Sequence, residues 1–353
     1  MQLYTECKID VNLYAKEESG GGMEEKKVSI VDVAKKSGVS TATVSRVVNQ
    51  LGGYSKETEK KVLKTIKEYG FRPNVNAIGL RTKRSHCVGV IVPDITNEFF
   101  AKIVRILDIF FIKYNYSVLI CDSNEDPELE ARHIQDMFDK NVDGLIYVSG
   151  MESISPILKN HKVPVVFIDR SPKDAEVIVQ SDNFQGGYLA AKELLKAGCR
   201  KPLLLRDYRM ASTIQQRRRG FMEALKENGM ECQRDYEVAV MPDYMSAKEK
   251  ISEILTEKGC CFDGIFTTND MMALGAMHAL AEAGYSVPQQ VKLVGFDNVS
   301  LSEFCSPPMT TIAQNTEQLA MVAGKALLKL IRKEDIEKKE YVVPVSIQVR
   351  STT

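Results

Sequence analysis

Two groups of residues carry most of the chemistry legible in this sequence. The first is the stretch Ser40-Thr-Ala-Thr-Val-Ser-Arg-Val-Val48. At helical spacing Val44, Val47 and Val48 fall on one side, while Thr41, Ala42, Ser45 and Arg46 fall on another. A short rod would thus seat itself by its valines and present hydroxyls, a methyl and a guanidinium outward. The second group lies far down the chain, where Asp169 follows the apolar run 163–168, Asn269 follows 263–267 and Asp297 follows 291–296. Parallel sheets bind ligands outside the C-terminal ends of their strands, so these positions point to a polar small-molecule site. Carboxylates and an amide suit a polyhydroxylated ligand, whose hydroxyls each donate and accept.

Reaction chemistry is not expected. The chain has no Gly-x-Ser-x-Gly elbow, no Walker loop and no Gly-x-Gly-x-x-Gly after its first strand, and Gly186-Gly187 is too weak to read as a phosphate site. Carboxylates in a cleft also occur in glycosidases, but nothing marks an acid and base pair. The eight cysteines include no Cys-x-x-Cys and the four histidines are scattered, so no metal or other cofactor is expected. The cysteines read as reduced, small apolar residues, with adjacent Cys260 and Cys261 as a redox alternative.

The elements that must position these residues differ sharply along the chain. Residues 23–84 hold 14 Lys or Arg against 6 Asp or Glu, a net of +8, within a chain of zero net charge. A small basic module on an acidic body fits a nucleic-acid reader. Ser29 with Asp32 forms a capping box over a helix with Ile30, Val33 and Ala34 inward; Ser37-Gly-Val39 turns; Ser40 caps the second helix. A third helix follows Ser55, with Val62, Leu63, Ile66 and Tyr69 inward and Gly70 as its stop. Residues 74–84 read as a linker of marginal helix content. From Cys87, β-branched runs (88–92, 117–121, 144–148, 163–168, 177–180, 202–205, 263–267, 291–296) alternate with amphipathic stretches, which means βαβ units and parallel sheets. A further strand is expected over 341–349. So many residues exceed one comfortable core, and two lobes follow.

The stretch from Val28 to Asn49 resembles, residue for residue, the helix-turn-helix signature of the lactose-repressor and purine-repressor family. Tyr69-Gly-Phe-Arg-Pro-Asn-Val-Asn-Ala-Ile-Gly-Leu-Arg-Thr82 resembles that family's hinge. Further landmarks are 87–100, Asp182-Asn183, Arg217-Arg-Arg-Gly-Phe221, Thr268-Asn-Asp-Met-Met-Ala-Leu-Gly275, Gly295-Phe-Asp-Asn298 and Pro307-Pro-Met-Thr-Thr-Ile312. Glu98 departs from the pattern, since proline is common there. The resemblance spans essentially 28–350. It implies an α-helical helix-turn-helix domain joined to an α/β core, two doubly wound parallel-sheet lobes of the periplasmic-binding-protein-like kind.

By the same resemblance Thr41 and Ala42 read bases, Arg46 pairs with guanine, Thr43 and Ser45 reach phosphate, and Asn49 caps or touches the backbone. Ala77 allows close approach to DNA and Leu80 is a minor-groove wedge. In the core Asp169, Arg217, Asn269 and Asp297 would make polar contacts to an effector, with Phe99 and Phe100 as an aromatic wall. Plain alternatives stand beside these: Asn269 as a helix cap, Phe99 and Phe100 as core packing, Leu80 as a linker anchor.

The expected organisation is a disordered extension 1–27, a reader 28–73, a hinge 74–85 and an effector core 86–353. Within the core an N lobe takes about 86–183 and 312–340, and a C lobe about 184–311 and 341–353. Met23 is a candidate natural start. The expected function is a dimeric transcription regulator, a repressor, that binds a palindromic operator in double-stranded DNA and responds to a small-molecule effector, a sugar or sugar derivative. Control by a protein corepressor or a nucleobase is the alternative, and a sugar-transport receptor a remote one. No run reaches the roughly 20 apolar residues of a membrane span, and no secretory signal is visible, so a cytoplasmic protein is expected.

Overall fold

The computed structural model describes residues 28–48, 51–71, 84–148, 158, 162–169, 175–209, 211–230 and 236–353. The expected extension 1–27 and Met23 lie outside these, as do Asn49, Ala77 and Leu80. The chain divides into two compact units, residues 1–78 and 79–353.

Among its described residues the first unit holds three helices, α1 (Ile30–Ser37), α2 (Thr41–Val48) and α3 (Lys56–Tyr69). The capping box forms as spaced: Ser29 N–H donates to Asp32 Oδ2 at 2.9 Å and Asp32 N–H donates to Ser29 Oγ at 3.3 Å. Gly38 and Gly70 end α1 and α3 in the left-handed region, at φ 69° and 62°, where a Cβ would add strain. Val33, Ala34, Val44, Val47 and Val62 make the core. The inner face of α3 is narrower than the sequence suggests: Leu63 and Tyr69 are 50% and 42% exposed, whereas Thr65 is buried. The contact stripe runs through 62, 65 and 66, and Leu63 lies about 100° round the helix from it. Tyr69 instead offers its ring to the Lys36 ammonium, 5.2 Å from the centroid.

Among its described residues the second unit contains two six-stranded sheets. In the first, β1 (Cys87–Val92), β2 (Ser117–Asp122), β3 (Gly144–Tyr147), β4 (Val165–Ile168), β5 (Val177–Ser181) and β11 (Glu340–Val343) run in the order β11-β5-β4-β3-β1-β2, all pairs parallel. Helices α4 (Glu98–Ile112), α5 (Pro127–Asp139) and α11 (Thr316–Arg332) accompany it. The second sheet, β12-β10-β9-β8-β6-β7, comprises β6 (Pro202–Asp207), β7 (Glu237–Val240), β8 (Gly264–Thr267), β9 (Lys292–Asp297), β10 (Thr310–Ala313) and β12 (Ser346–Gln348). It is parallel except where β10 meets β12. Its helices are α6 (Asn183–Lys196), α7 (Ser212–Glu227), α8 (Tyr244–Lys258), α9 (Asp270–Glu282) and α10 (Ser300–Phe304).

Each sheet is buried on both faces, which is why its strands read as unbroken apolar runs. Successive residues alternate between cores: Val90 joins the cluster with Leu107 and Leu327, while Ile91 joins that with Ile134 and Leu145. Likewise Leu203 and Leu205 pack with Ile251 and Leu280, and Leu204 packs with Phe221 and Phe266.

The chain passes between the lobes at 181–183, 313–316 and 343–346. The single strand expected over 341–349, and assigned to the C lobe, is two strands. β11 pairs with β5 in the first sheet and β12 pairs with β10 in the second. Pro344 stands between them, and its missing N–H cannot continue a ladder. Residues 312 and 313, expected in the N lobe, belong to β10 of the second sheet. The short strands β7 and β10 escape a reading based on apolar runs because β7 is a half-buried edge and β10 carries two threonines.

Candidate functional site

In the first unit α2 is seated by Val44 and Val47, at 0% and 3% exposure, and its other face presents Thr41, Ala42 and Arg46 to solvent. Thr43 and Ser45 are partly buried. The Thr43 N–H donates to Ser40 Oγ at 3.1 Å and the two hydroxyls meet at 2.9 Å, so Thr43 is tied into the helix start. The guanidinium of Arg46 lies over the loop before α3. There Gly53, at φ 75°, leaves room that a Cβ would take, 2.5 Å from Arg46 Nη2. Nothing in residue type or periodicity marks Gly53 as serving Arg46, and sequence reading missed it.

In the second unit a cavity of about 470 Å³ opens between the lobes. Phe99, Phe100, Asp169, Arg217, Asn269 and Asp297 all line it, although they come from five separate stretches of chain. Asp169 and Asp297 stand where β4 and β9 end, in left-handed backbone at φ 66° and 115°, a strained conformation outside glycine that turns each carboxylate off its strand. Arg217 projects from α7. The close approach of α7 to α6 depends on Gly187 and Gly220, since a Cβ at either would collide with backbone of the facing helix, the Arg217 carbonyl and the Phe184 carbonyl respectively. Gly187 is thus a packing glycine that sets the position of Arg217.

Arg217 is 5% exposed, and its guanidinium stacks 3.6 Å from the Phe296 ring centroid. Its Nε donates to Asn183 Oδ1 at 2.8 Å and its Nη1 to the Thr268 carbonyl at 2.6 Å. Nη2 stands 3.9 Å from Asp169 Oδ2, and Nη1 stands 3.9 Å from Asp297 Oδ1. These are ion-pair separations longer than a hydrogen bond. Asp169 Oδ1 accepts from Ser181 N–H at 3.3 Å. Asp297 Oδ1 accepts from Gln314 Nε2 at 2.6 Å, and Gln314 Oε1 in turn accepts from Ser181 Oγ at 2.5 Å. Carboxylates of both lobes are therefore wired through two of the crossing segments.

Burial dominates the electrostatics. It pushes the Asp297 carboxyl up to about 7, against the pull of Arg217 and Gln314 and with repulsion from Asp169 adding to it. Burial also raises Asp270, behind the cavity, well above the carboxylate range, and Asp297 adds to that rise while hydrogen bonds from Thr311 and Val299 N–H oppose it. Burial lowers Arg217, and Asp297, Asp169, Asp207 and Asp270 counter it.

Two expected residues do more than line the cavity. Asn269 caps α9, accepting from Met272 N–H at 2.7 Å and donating to the Pro242 carbonyl at 2.9 Å. Phe99 is 3% exposed and belongs to the first lobe's core, with Phe100 edge-on to it at 5.2 Å. The cavity also takes in Asp207, Arg209, Glu125 and Asp243, which the sequence reading did not select. Asp207 ends β6, so the rule that found Asp169 and Asp297 applies to it as well; ending that strand at 205 hid it. The cysteines offer no comparable chemistry. Those described are all free thiols, and burial raises Cys87, Cys121, Cys260 and Cys305 and pushes Cys199 up to about 12.

A helix-turn-helix face and a two-lobed cleft in one chain have matching relatives. The family model "Bacterial regulatory proteins, lacI family" matches residues 29–74. The model "Periplasmic binding proteins and sugar binding domain of LacI family" matches residues 85–350. The chain belongs to the LacI family. The ribose operon repressor of Halalkalibacterium halodurans is 34% identical over 92% of this chain and 97% of its own. Catabolite control protein A of Priestia megaterium is 33% identical over 92% and 99%. Among solved structures, the lac repressor dimer bound to operator and the anti-inducer ONPF superposes with TM-score 0.85 at 28% identity, covering 93% of this chain and 99% of that one. A LacI-family regulator of Enterococcus faecium with bound ribose superposes with TM-score 0.69 at 28% identity, covering 76% and 98%. This LacI-family chain is a DNA-binding transcriptional regulator and not an enzyme.

Proposed function

We propose that the chain is a repressor that binds a palindromic operator as a homodimer and is controlled by a saccharide held between the lobes of its second unit. On this reading Thr41, Ala42 and Arg46 meet base edges, and Thr43 and Ser45 approach phosphate. Asn49, Ala77 and Leu80 keep the roles the family resemblance implies for them. Support for a dimer comes from apolar residues left at the surface of the first lobe: Ile109 and Ile112 on α4 are 49% and 63% exposed, and Ile120 on edge strand β2 is 45% exposed. Such residues favour burial against a second copy, and a two-fold protein matches a two-fold operator. The site of action is the cytoplasm, where bacterial DNA lies, and no described helix is long and apolar enough to cross a membrane.

The observation that carries the effector reading is the pair of 3.9 Å gaps between Arg217 and the carboxylates of Asp169 and Asp297. A hydroxyl oxygen placed in either gap accepts from the guanidinium and donates to the carboxylate, both at ordinary hydrogen-bond distance. Phe100 and Phe99 supply an apolar wall for the carbon face of a sugar ring, and Asn269 is also on the lining. Ligand then acts by favouring one lobe arrangement, with a matching change in operator affinity.

The test is selection of duplexes from a random DNA library by the full chain, followed by calorimetry against a sugar panel. A palindromic consensus, salt-sensitive binding and loss of operator affinity on adding one sugar are expected. No preference for any duplex would defeat the DNA reading; a sugar whose affinity survives Arg217→Met and Asp169→Asn unchanged would defeat the cleft.

A further inference from the structure

The charge lining the cleft is lopsided. Six carboxylates reach it, from Asp94, Glu125, Asp169, Asp207, Asp243 and Asp297, and the only cations on its lining among the described residues are Arg209 and Arg217. Both guanidiniums are already engaged. Arg217 stands between Asp169 and Asp297, with Nε and Nη1 donating within the protein. Arg209 is held by Asp207 through Nε at 3.0 Å to each carboxylate oxygen and Nη2 at 2.7 Å to Oδ2. Its remaining nitrogen, Nη1, is ion-paired with Glu125 of the other lobe. Asp207 itself is 4% exposed and takes a further hydrogen bond from the Arg209 N–H at 2.9 Å, so this chain of charges is anchored at one end in the second lobe.

Such a lining treats two forms of one sugar very differently. A hydroxyl donates to a carboxylate and so relieves its desolvation. A phosphate ester replaces one hydroxyl by acceptor oxygens carrying close to two negative charges, and that phosphoryl group can neither donate to these carboxylates nor find a guanidinium they have not neutralised. We propose that the cleft selects an uncharged saccharide and excludes the phosphate ester of the same sugar, with the Asp207–Arg209–Glu125 chain enforcing that choice. The proposal rests on the reading of the cleft as the effector site. Each unneutralised carboxylate within several ångströms of the phosphate costs about tenfold in affinity at the effective dielectric of a protein cleft, so the free sugar leads its ester by about a hundredfold or more.

Calorimetry of the full chain against ribose, ribose 5-phosphate, glucose and glucose 6-phosphate, at low ionic strength and neutral pH, tests this directly. A free sugar that binds about a hundredfold more tightly than its ester supports the proposal, and raising the salt should narrow that ratio. An ester that binds as well as its free sugar, or better, overturns it and leaves the effector reading intact. If neither class binds while the operator is still bound, the effector reading falls and takes the proposal with it. Glu125→Gln isolates the bridge. It removes one carboxylate and frees one face of Arg209, so the ester should gain about tenfold relative to the free sugar. An unchanged ratio in that variant overturns the enforcing role. A ratio of two affinities measured on one variant is insensitive to partial unfolding.

Discussion

The reading helix and the cleft solve recognition in opposite ways. On α2 the groups proposed to meet DNA are exposed, and the side chains that hold the helix, Val44 and Val47, are separate from them. In the cleft these tasks merge. Arg217, Asp169 and Asp297 are 5%, 7% and 8% exposed, two of them lie in strained backbone, and each keeps its neighbour's charge bearable. Recognition of a long polyanion needs only a displayed surface. Recognition of a small polar molecule requires that water be excluded, so the folded state must tolerate desolvated charge before the ligand arrives.

The sharpest way to break this contrast is to remove the shared cation. Arg217→Met keeps the length and packing over Phe296 but leaves Asp169 and Asp297 without their counter-charge. Removal of one partner from a buried charge cluster costs about 3–5 kcal/mol. Denaturant unfolding of the second unit should show that loss together with loss of sugar binding. A stable variant would mean that the cleft carboxylates are not held by charge.

Proton linkage comes next in size. The folded-state pKa of Asp297 is raised to about 7 from the ordinary 3.8. Between those values the folded protein binds more protons than the unfolded chain, so the group's contribution to stability is full below about pH 4, is lost as pH rises toward 7, and is flat above. Sugar binding should run the other way. A hydroxyl donating to Asp297 favours the carboxylate, so affinity should rise by up to about tenfold from pH 6 to pH 8, and Asp297→Asn should flatten the profile. A profile identical in wild type and variant would assign the titration to another group.

Arg46→Ala asks the same question of the exposed surface. Loss of a guanidinium that meets a base should cost about 1–3 kcal/mol in operator binding and relax preference at one position. Stability should stay within about 0.5 kcal/mol, as for other exposed substitutions. Equal loss on all duplexes would place Arg46 on phosphate instead.

What could be read from the chain follows the same division. The caps at Ser29, Ser40 and Ser55, the terminal glycines and the valine face of α2 are local signals, and each holds in the structure. Parallel strands buried on both faces announce themselves as apolar runs, and carboxylates at their ends mark the cleft. Features set by distant contacts left no such trace. Leu63 looks like a core residue until neighbouring helices define a narrower stripe, and the pairing of Arg209 with Glu125 joins two lobes far apart in sequence. The break at Pro344 was visible as a residue type but not as a change of sheet, because the two halves acquire different partners only when both sheets exist.

Glu98 is the intermediate case, a charge at the rim between the buried and displayed extremes. It stands where the family resemblance leads one to expect proline, and it uses the difference. Its carboxylate accepts from Ser300 N–H at 2.7 Å and Ser300 Oγ at 2.6 Å in the opposite lobe, and it pairs with Lys102 at 2.6 Å on its own helix. Burial tends to raise this carboxyl, but the hydrogen bonds from Lys102 and Ser300 prevail and hold it below the usual range. Neighbouring Val299 is buried in the cluster that contains Phe99, so the apolar contact between the lobes would survive without the carboxylate. Because Glu98 and Lys102 remain partly exposed, their attraction is screened and small. Glu98→Ala should therefore cost under about 1 kcal/mol in stability and shift sugar affinity only a few-fold, the smallest effect in the series. A larger change in sugar affinity, with operator affinity in the absence of sugar altered as well, would show that this rim contact sets the balance between lobe arrangements rather than merely accompanying it.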